Sequence, residues 1–97
     1  MSRRRSRLGV YLEVLRNIDK GTDKPTRIMY ASNLSWTPCK RVLKSLSGQK
    51  LIVEKEGEEL KEMDSRTKVA YRITEKGKNV LRYFEKGRKE LGIFDEG

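Results

Sequence analysis

The chain has 97 residues, 35% hydrophobic and 38% charged, with a formal net charge of +9. That length makes one domain with a modest core, part of which a partner subunit could complete. No apolar run approaches the roughly 20 residues of a membrane span, and a single cysteine excludes an internal disulfide.

The basic excess is unevenly placed. Residues 1–50 hold 12 Lys/Arg against 3 Asp/Glu, whereas residues 51–97 hold 11 of each. A basic half points to a polyanion, nucleic acid above all. An anionic membrane surface fits less well, because no helix joins a broad apolar face to a continuous cationic one. The basic amino terminus runs into an amphipathic segment, so it does not read as a secretory signal. With one cysteine, on an apolar stripe, a reduced cytoplasmic setting fits.

Arg3 to Arg7 place four arginines in five positions, which repel one another and bury nothing. Two readings stand: a solvated tail, or an arm whose Arg3, Arg4 and Arg5 touch phosphates or enter a minor groove. From about Ser6 to Lys20, Leu8, Tyr11, Val14 or Leu15, and Ile18 recur at helical spacing, and Gly21 stops the helix. Thr22 to Lys24 connect, with Lys24 extended before proline. Pro25 and Thr26 open a second helix that reaches about Ser32, with Ile28, Ala31 and, as a further candidate, Met29 inward. Asn33 and Leu34 form the turn. Asparagine tolerates unusual backbone angles, and Leu34 would plug the angle between the helices.

The third helix is the most informative stretch. Ser35 and Thr37 are good N-caps and Pro38 suits the first turn. Cys39, Val42, Leu43 and Leu46 make one apolar stripe, so Cys39 reads as a buried thiol. Trp36, Thr37, Lys40, Arg41 and Lys44 lie opposite. Gly48 can take the left-handed conformation that closes a helix. A short helix with an anchored back and a cationic front suits a DNA major groove.

After Gly48 the period changes. Leu51 to Glu56 and Lys68 to Thr74 read as strands, the second with Val69, Tyr71 and Ile73 on one face. The polar connection from Gly57 to Thr67 makes the pair a hairpin, and a hairpin directly after a helix-turn-helix is a wing. Thr74 caps a last helix from Glu75 to about Gly92. Gly77, Val80, Phe84, Gly87, Leu91 and Phe94 follow a 3-4 spacing, a heptad seam suited to a second copy. The competing reading packs them all internally. Leu81 and, as a further candidate, Tyr83 fall off the seam, toward the chain's own core. The expected fold class is α+β, mainly α: a flexible basic arm over 1–7, a winged helix-turn-helix over 8–74, and a dimerising C-terminal helix over 75–97.

Two motifs carry a family resemblance. Pro25-Thr26-Arg27-Ile28-Met29-Tyr30-Ala31-Ser32-Asn33-Leu34-Ser35 resembles the second-helix segment of small archaeal winged helix-turn-helix proteins. Tyr71-Arg72-Ile73-Thr74-Glu75-Lys76-Gly77 is similar to the strand-to-helix junction shared by those proteins and by PadR- and MarR-type regulators. The resemblance covers about residues 8–92. It implies dimers joined by the last helix that bind double-stranded DNA, as transcriptional regulators or chromatin proteins in the cytoplasm and nucleoid. It also implies Trp36 to Ser47 as the major-groove reader. The chain departs from the pattern twice. Relatives usually place glycine directly before the Leu-Ile that opens the strand after the third helix; here that position is Lys50 and the glycine is Gly48. The wing is also acidic: Glu54, Glu56, Glu58, Glu59, Glu62 and Asp64 outnumber Lys55, Lys61 and Arg66. Phosphate neutralisation asks for the reverse, so either only its far end touches DNA or it points away.

On this frame Arg41, with its bidentate fork, suits a guanine edge, and Lys40 and Lys44 suit phosphates. Thr37 suits a phosphate or a thymine methyl. Trp36 either packs on the first helix or lies against the DNA backbone. Lys24 and Arg27, beside the N-terminal amides of the second helix, suit a phosphate; Arg66 and Lys68 are the wing candidates. Val80, Phe84, Gly87 and Leu91 are the candidates for the dimer interface. For each cation the plain alternative is a solvated surface. No histidine, cysteine pair or glycine-rich phosphate loop supports catalysis, a metal or a cofactor. The competing function classes are a non-specific nucleoid protein, a winged-helix adaptor between proteins, and an RNA binder, for which no exposed aromatic row is evident.

Overall fold

The computed structural model describes residues 6–56, 60 and 68–91, the last four as backbone only. Ser6 starts the first helix, α1, Arg7–Asp19. Its hydroxyl accepts the Gly9 N–H at 2.9 Å, satisfying one of the amides that a first turn leaves free. Burial rises along α1: Leu8 is 51% exposed, Val10, Tyr11 and Leu12 are partly buried, and Val14, Leu15 and Ile18 are in the core. Leu8 therefore departs from the expected stripe.

The second helix, α2, is Pro25–Ala31, with Pro25 in its first turn and Lys24 extended before it. Ile28 is buried and Met29 partly so. Ala31, expected inward, is exposed; Ser32 is buried in its place, and its hydroxyl accepts Asn17 Nδ2 from α1 at 2.9 Å. The third helix, α3, is Trp36–Gly48, with Ser35 as its N-cap. Cys39, Val42, Leu43 and Leu46 are all buried, as their spacing requires, and burial raises the Cys39 pKa.

These three helices end in the same way. At each C-terminus one N–H reaches back three residues and the next reaches back five, the Schellman arrangement. The pairs are Gly21 N–H to Ile18 and Thr22 N–H to Asn17, Asn33 to Tyr30 and Leu34 to Met29, and Lys50 to Ser47 and Leu51 to Leu46, all at 2.9–3.1 Å. The closing residues have positive φ: Gly21 111°, Asn33 55° and Lys50 64°. Gly48 thus does not close α3. It is the last helical residue, and the left-handed position falls to Lys50.

The strand β1, Ile52–Glu54, pairs antiparallel with β2, Tyr71–Ile73, with Ile52 opposite Ile73 and Glu54 opposite Tyr71. Both are shorter than expected. Leu51 belongs to the closing turn of α3, and Thr74 to the start of the next helix. Most of the Gly57–Thr67 connection lies outside the described residues. The hairpin base is tied to the α1–α2 connector: Tyr71 N–H donates to the Asp23 carbonyl at 2.9 Å, and Lys55 Nζ lies 2.8 Å from Asp23 Oδ2.

The last helix, α4, is Glu75–Leu91. The Thr74 hydroxyl accepts the Gly77 N–H at 3.0 Å, and Leu81 enters the core. Arg16 Nε pairs with Glu85 Oε2 at 2.8 Å, joining α4 to α1. Gly77 is not part of a seam for a second copy: it is buried, and a methyl there would collide with the Leu51 carbonyl and with Ile73. Val80 packs partly on the chain's own core. Tyr83, a candidate for that core, is instead 73% exposed. Phe94 lies outside the described residues. Among those described, no helix is long and apolar enough to cross a membrane.

The glycines predict opposite responses. Gly77→Ala should lose about 2 kcal/mol or more, because its backbone neighbour cannot give way. Gly48→Ala meets nothing within 4 Å and should gain about 0.5–1 kcal/mol. Lys50→Gly should gain a few tenths to about 1 kcal/mol, as relief of left-handed strain outweighs the added unfolded-state entropy. Urea denaturation of the three variants checks all three signs.

Candidate nucleic-acid interface

With its apolar stripe held by α1, α2 and β1, α3 turns its other side to solvent. Thr37, Lys40, Arg41 and Lys44 are all exposed, and at about 3.6 residues per turn they share one face. Among the described residues none of these three cations is in an ion pair. The face lies between two grooves. One, of about 640 Å³, runs between α3 and the hairpin and is lined by Trp36, Lys40, Lys44, Glu54, Val69 and Tyr71 among others. The other, of about 630 Å³, lies between α3 and the start of α1, with Arg41, Pro38, Arg7 and Tyr11 among its lining. Lys40 and Lys44 thus flank the hairpin side and Arg41 the α1 side.

Trp36 is 47% exposed. The groove that it lines takes residues from α2, α3 and the hairpin. Arg27 is exposed on α2; Lys24 is partly buried just before it. Lys68 is exposed where the chain returns toward β2. Arg3, Arg4, Arg5 and Arg66 lie outside the described residues.

The electrostatics are divided. Glu54 and Glu56 are exposed on the hairpin arm, and the intervening Lys55 is engaged with Asp23. Glu54 lines the same groove as Lys40 and Lys44. The Tyr71 hydroxyl is held protonated above its ordinary range, first by burial, then by the Glu54 carboxylate and by Cys39. Sequence reasoning missed the Asp23–Lys55 pair, whose partners are 32 residues apart, and no local pattern marks it.

On α4, the expected interface residues divide. Val80 is partly committed to the core. Phe84 is half-buried, its ring edge-on to Tyr83 with centroids 5.3 Å apart and planes at 87°. A Cβ at Gly87 would meet nothing within 4 Å among the described residues. Of Leu91 only the backbone is described. Among the described residues, no group of three or more His, Cys, Asp or Glu is placed to hold a metal ion.

Comparison with solved structures finds the same fold at low identity, the three proteins that follow among them. Staphylococcus aureus MarR in complex with salicylate and kanamycin superposes with a TM-score of 0.69 at 19% identity, over 87% of this chain and 53% of that one. Streptococcus pneumoniae FabT in complex with DNA gives 0.66 at 20% identity, over 90% and 59%. Lactococcus lactis ZitR, a zinc-responsive MarR family member, gives 0.65 at 23% identity, over 90% and 58%. The chain therefore spans between about half and three fifths of these proteins. No curated protein sequence matches it. The family model described as winged helix-turn-helix matches residues 4–91, nearly the whole length. The chain belongs to the winged helix-turn-helix family.

Proposed function

We propose that the protein binds double-stranded DNA as a homodimeric transcriptional regulator, with α3 lying in the major groove and α4 joining two copies. The outward face of α3 carries this reading: Thr37, Lys40, Arg41 and Lys44 are exposed on the third helix of a winged helix-turn-helix. That FabT, of like fold, was solved in complex with DNA supports it, as does the resemblance to small archaeal proteins and PadR-type regulators. In this arrangement Arg41 reads a guanine edge, Lys40 and Lys44 hold phosphates, and Thr37 meets a phosphate or a thymine methyl. Trp36 lies against the backbone, and Arg27 holds a flanking phosphate. Residues 8–74 form the DNA-binding unit and 75–97 the dimer helix. Arg3, Arg4 and Arg5 of the 1–7 arm, and Arg66 and Lys68 at the far end of the wing, add phosphate contacts. Exposed Tyr83, half-buried Phe84 and open Gly87 support α4 as the dimer surface. Such a regulator works in the cytoplasm, on the nucleoid.

A second reading has one observation in its favour. Exposed Glu54 and Glu56 sit beside the candidate DNA face, which suits an adaptor whose hairpin meets a basic protein. The adaptor shows no salt-dependent duplex binding.

Alanine at Lys40, Arg41 and Lys44 together should weaken duplex binding about a hundredfold at fixed salt. It should also make the slope of log affinity against log salt shallower by about two to three. Unchanged binding overturns the DNA reading. Selection from random duplexes separates the subclasses: a palindromic consensus with half-sites about one turn apart marks a regulator, and salt-sensitive binding without consensus marks a general nucleoid protein.

Sedimentation equilibrium should give a dimer at micromolar concentration, and Phe84→Glu a folded monomer. A monomeric wild type overturns the dimer.

A further inference from the structure

We propose that Thr74 and Lys76 are positioning residues of the DNA-reading surface, holding the C-terminal end of α3 in register with α4. This rests on α3 being the helix that enters the groove.

The last carbonyls of a helix have no partner within it. In α3, the Schellman bonds take those of Leu46 and Ser47. Just past the last helical residue, Gly48, the carbonyls of Gln49, Lys50 and Leu51 are all bonded from the start of α4. Lys76 Nζ donates to the Gln49 carbonyl at 3.0 Å. Thr74 Oγ1 lies 2.8 Å from the Lys50 carbonyl and 3.0 Å from that of Leu51. The Thr74 N–H donates to the Leu51 carbonyl at 3.0 Å. The same hydroxyl accepts the Gly77 N–H, so one side chain closes α3 and opens α4. The Lys76 ammonium also faces the negative end of the α3 dipole.

The core side of α3 is set by burial. Its far end is held by this clamp, which lies within two turns of Lys44 and little more than two from Arg41. A loosened clamp lets that end tilt while the core stays packed, and the cations then miss their phosphates. In a dimer joined through α4, the same clamp carries the spacing of the two α4 helices to the two α3 helices.

The test uses the full chain and a mixed-sequence duplex of about 30 base pairs, at a temperature where circular dichroism shows every variant folded. Thr74→Val removes the hydroxyl without changing charge; Lys76→Met removes the ammonium and leaves the α4 cap intact. Each should bind about threefold to thirtyfold more weakly, with an unchanged salt slope and faster hydrogen exchange at the Lys50 and Leu51 amides. Thr74→Ser and Lys76→Arg should restore wild-type affinity. Full affinity in both folded loss variants overturns the inference and leaves the DNA reading standing. So does a loss in Lys76→Met whose salt slope is shallower by about one, the mark of a direct phosphate contact. A wild type that binds no duplex overturns both.

Discussion

Three elements, α3, β1 and α4, meet at Leu51. Its N–H closes α3 on the Leu46 carbonyl, and its side chain is buried. Its own carbonyl takes the Thr74 N–H and hydroxyl and lies against Gly77, and β1 begins at the next residue. Any side chain at position 77 would drive α4 off this carbonyl, and α4 would take Leu81 and the Arg16–Glu85 pair with it. The direction of the last helix, the start of the hairpin and the end of the candidate reading helix therefore depend on one close backbone approach.

Much of this was legible in the sequence because it is local. The stripe at Cys39, Val42, Leu43 and Leu46 needs only the helical period, and Gly21 and Asn33 announce left-handed turns by residue type. Lys50 does not, and Gly48, two residues earlier, is a better residue for the role. A finer signal was present. Leu46 and Leu51 are five apart, as are Met29 and Leu34, and that spacing is the apolar contact that accompanies a Schellman turn; it puts the left-handed residue at 50 and at 33. Gly77 was misread for the opposite reason. It falls on a heptad spacing with Val80 and Phe84, and nothing local tells a glycine at an interface between copies from one pressed on its own chain. Ties such as Asp23–Lys55, Asn17–Ser32 and Arg16–Glu85 join residues too far apart in sequence for any periodicity to reveal.

The candidate site was legible as a list and not as a geometry. Trp36, Thr37, Lys40, Arg41 and Lys44 are all on the outer side of α3, as their spacing demanded. Their division between two grooves depends on where the hairpin and α1 lie. That division gives Arg41 and the lysines different surroundings. Lys40 and Lys44 share a groove with the Glu54 carboxylate, whereas the Arg41 groove includes Arg7. The local field thus favours a polyanion more strongly on the α1 side of α3. This agrees with an interface in which helix and amino-terminal arm act together and the near part of the hairpin stands aside.

The two glycines on α4 that the structure describes show how one helix can serve two purposes. Gly77 is absent a side chain because a carbonyl occupies its place. At Gly87 nothing is near, and a glycine in an open helix position lowers helix propensity by about 1 kcal/mol against alanine. Nothing within the described chain offsets that loss, whereas a second copy approaching along Tyr83, Phe84 and Gly87 would, since the missing side chain lets backbones come close. The first turn of α4 is thus shaped by its own domain. In the proposed dimer its later turns lie against another α4, and a rigid joint at Leu51 would then fix the distance between two reading helices.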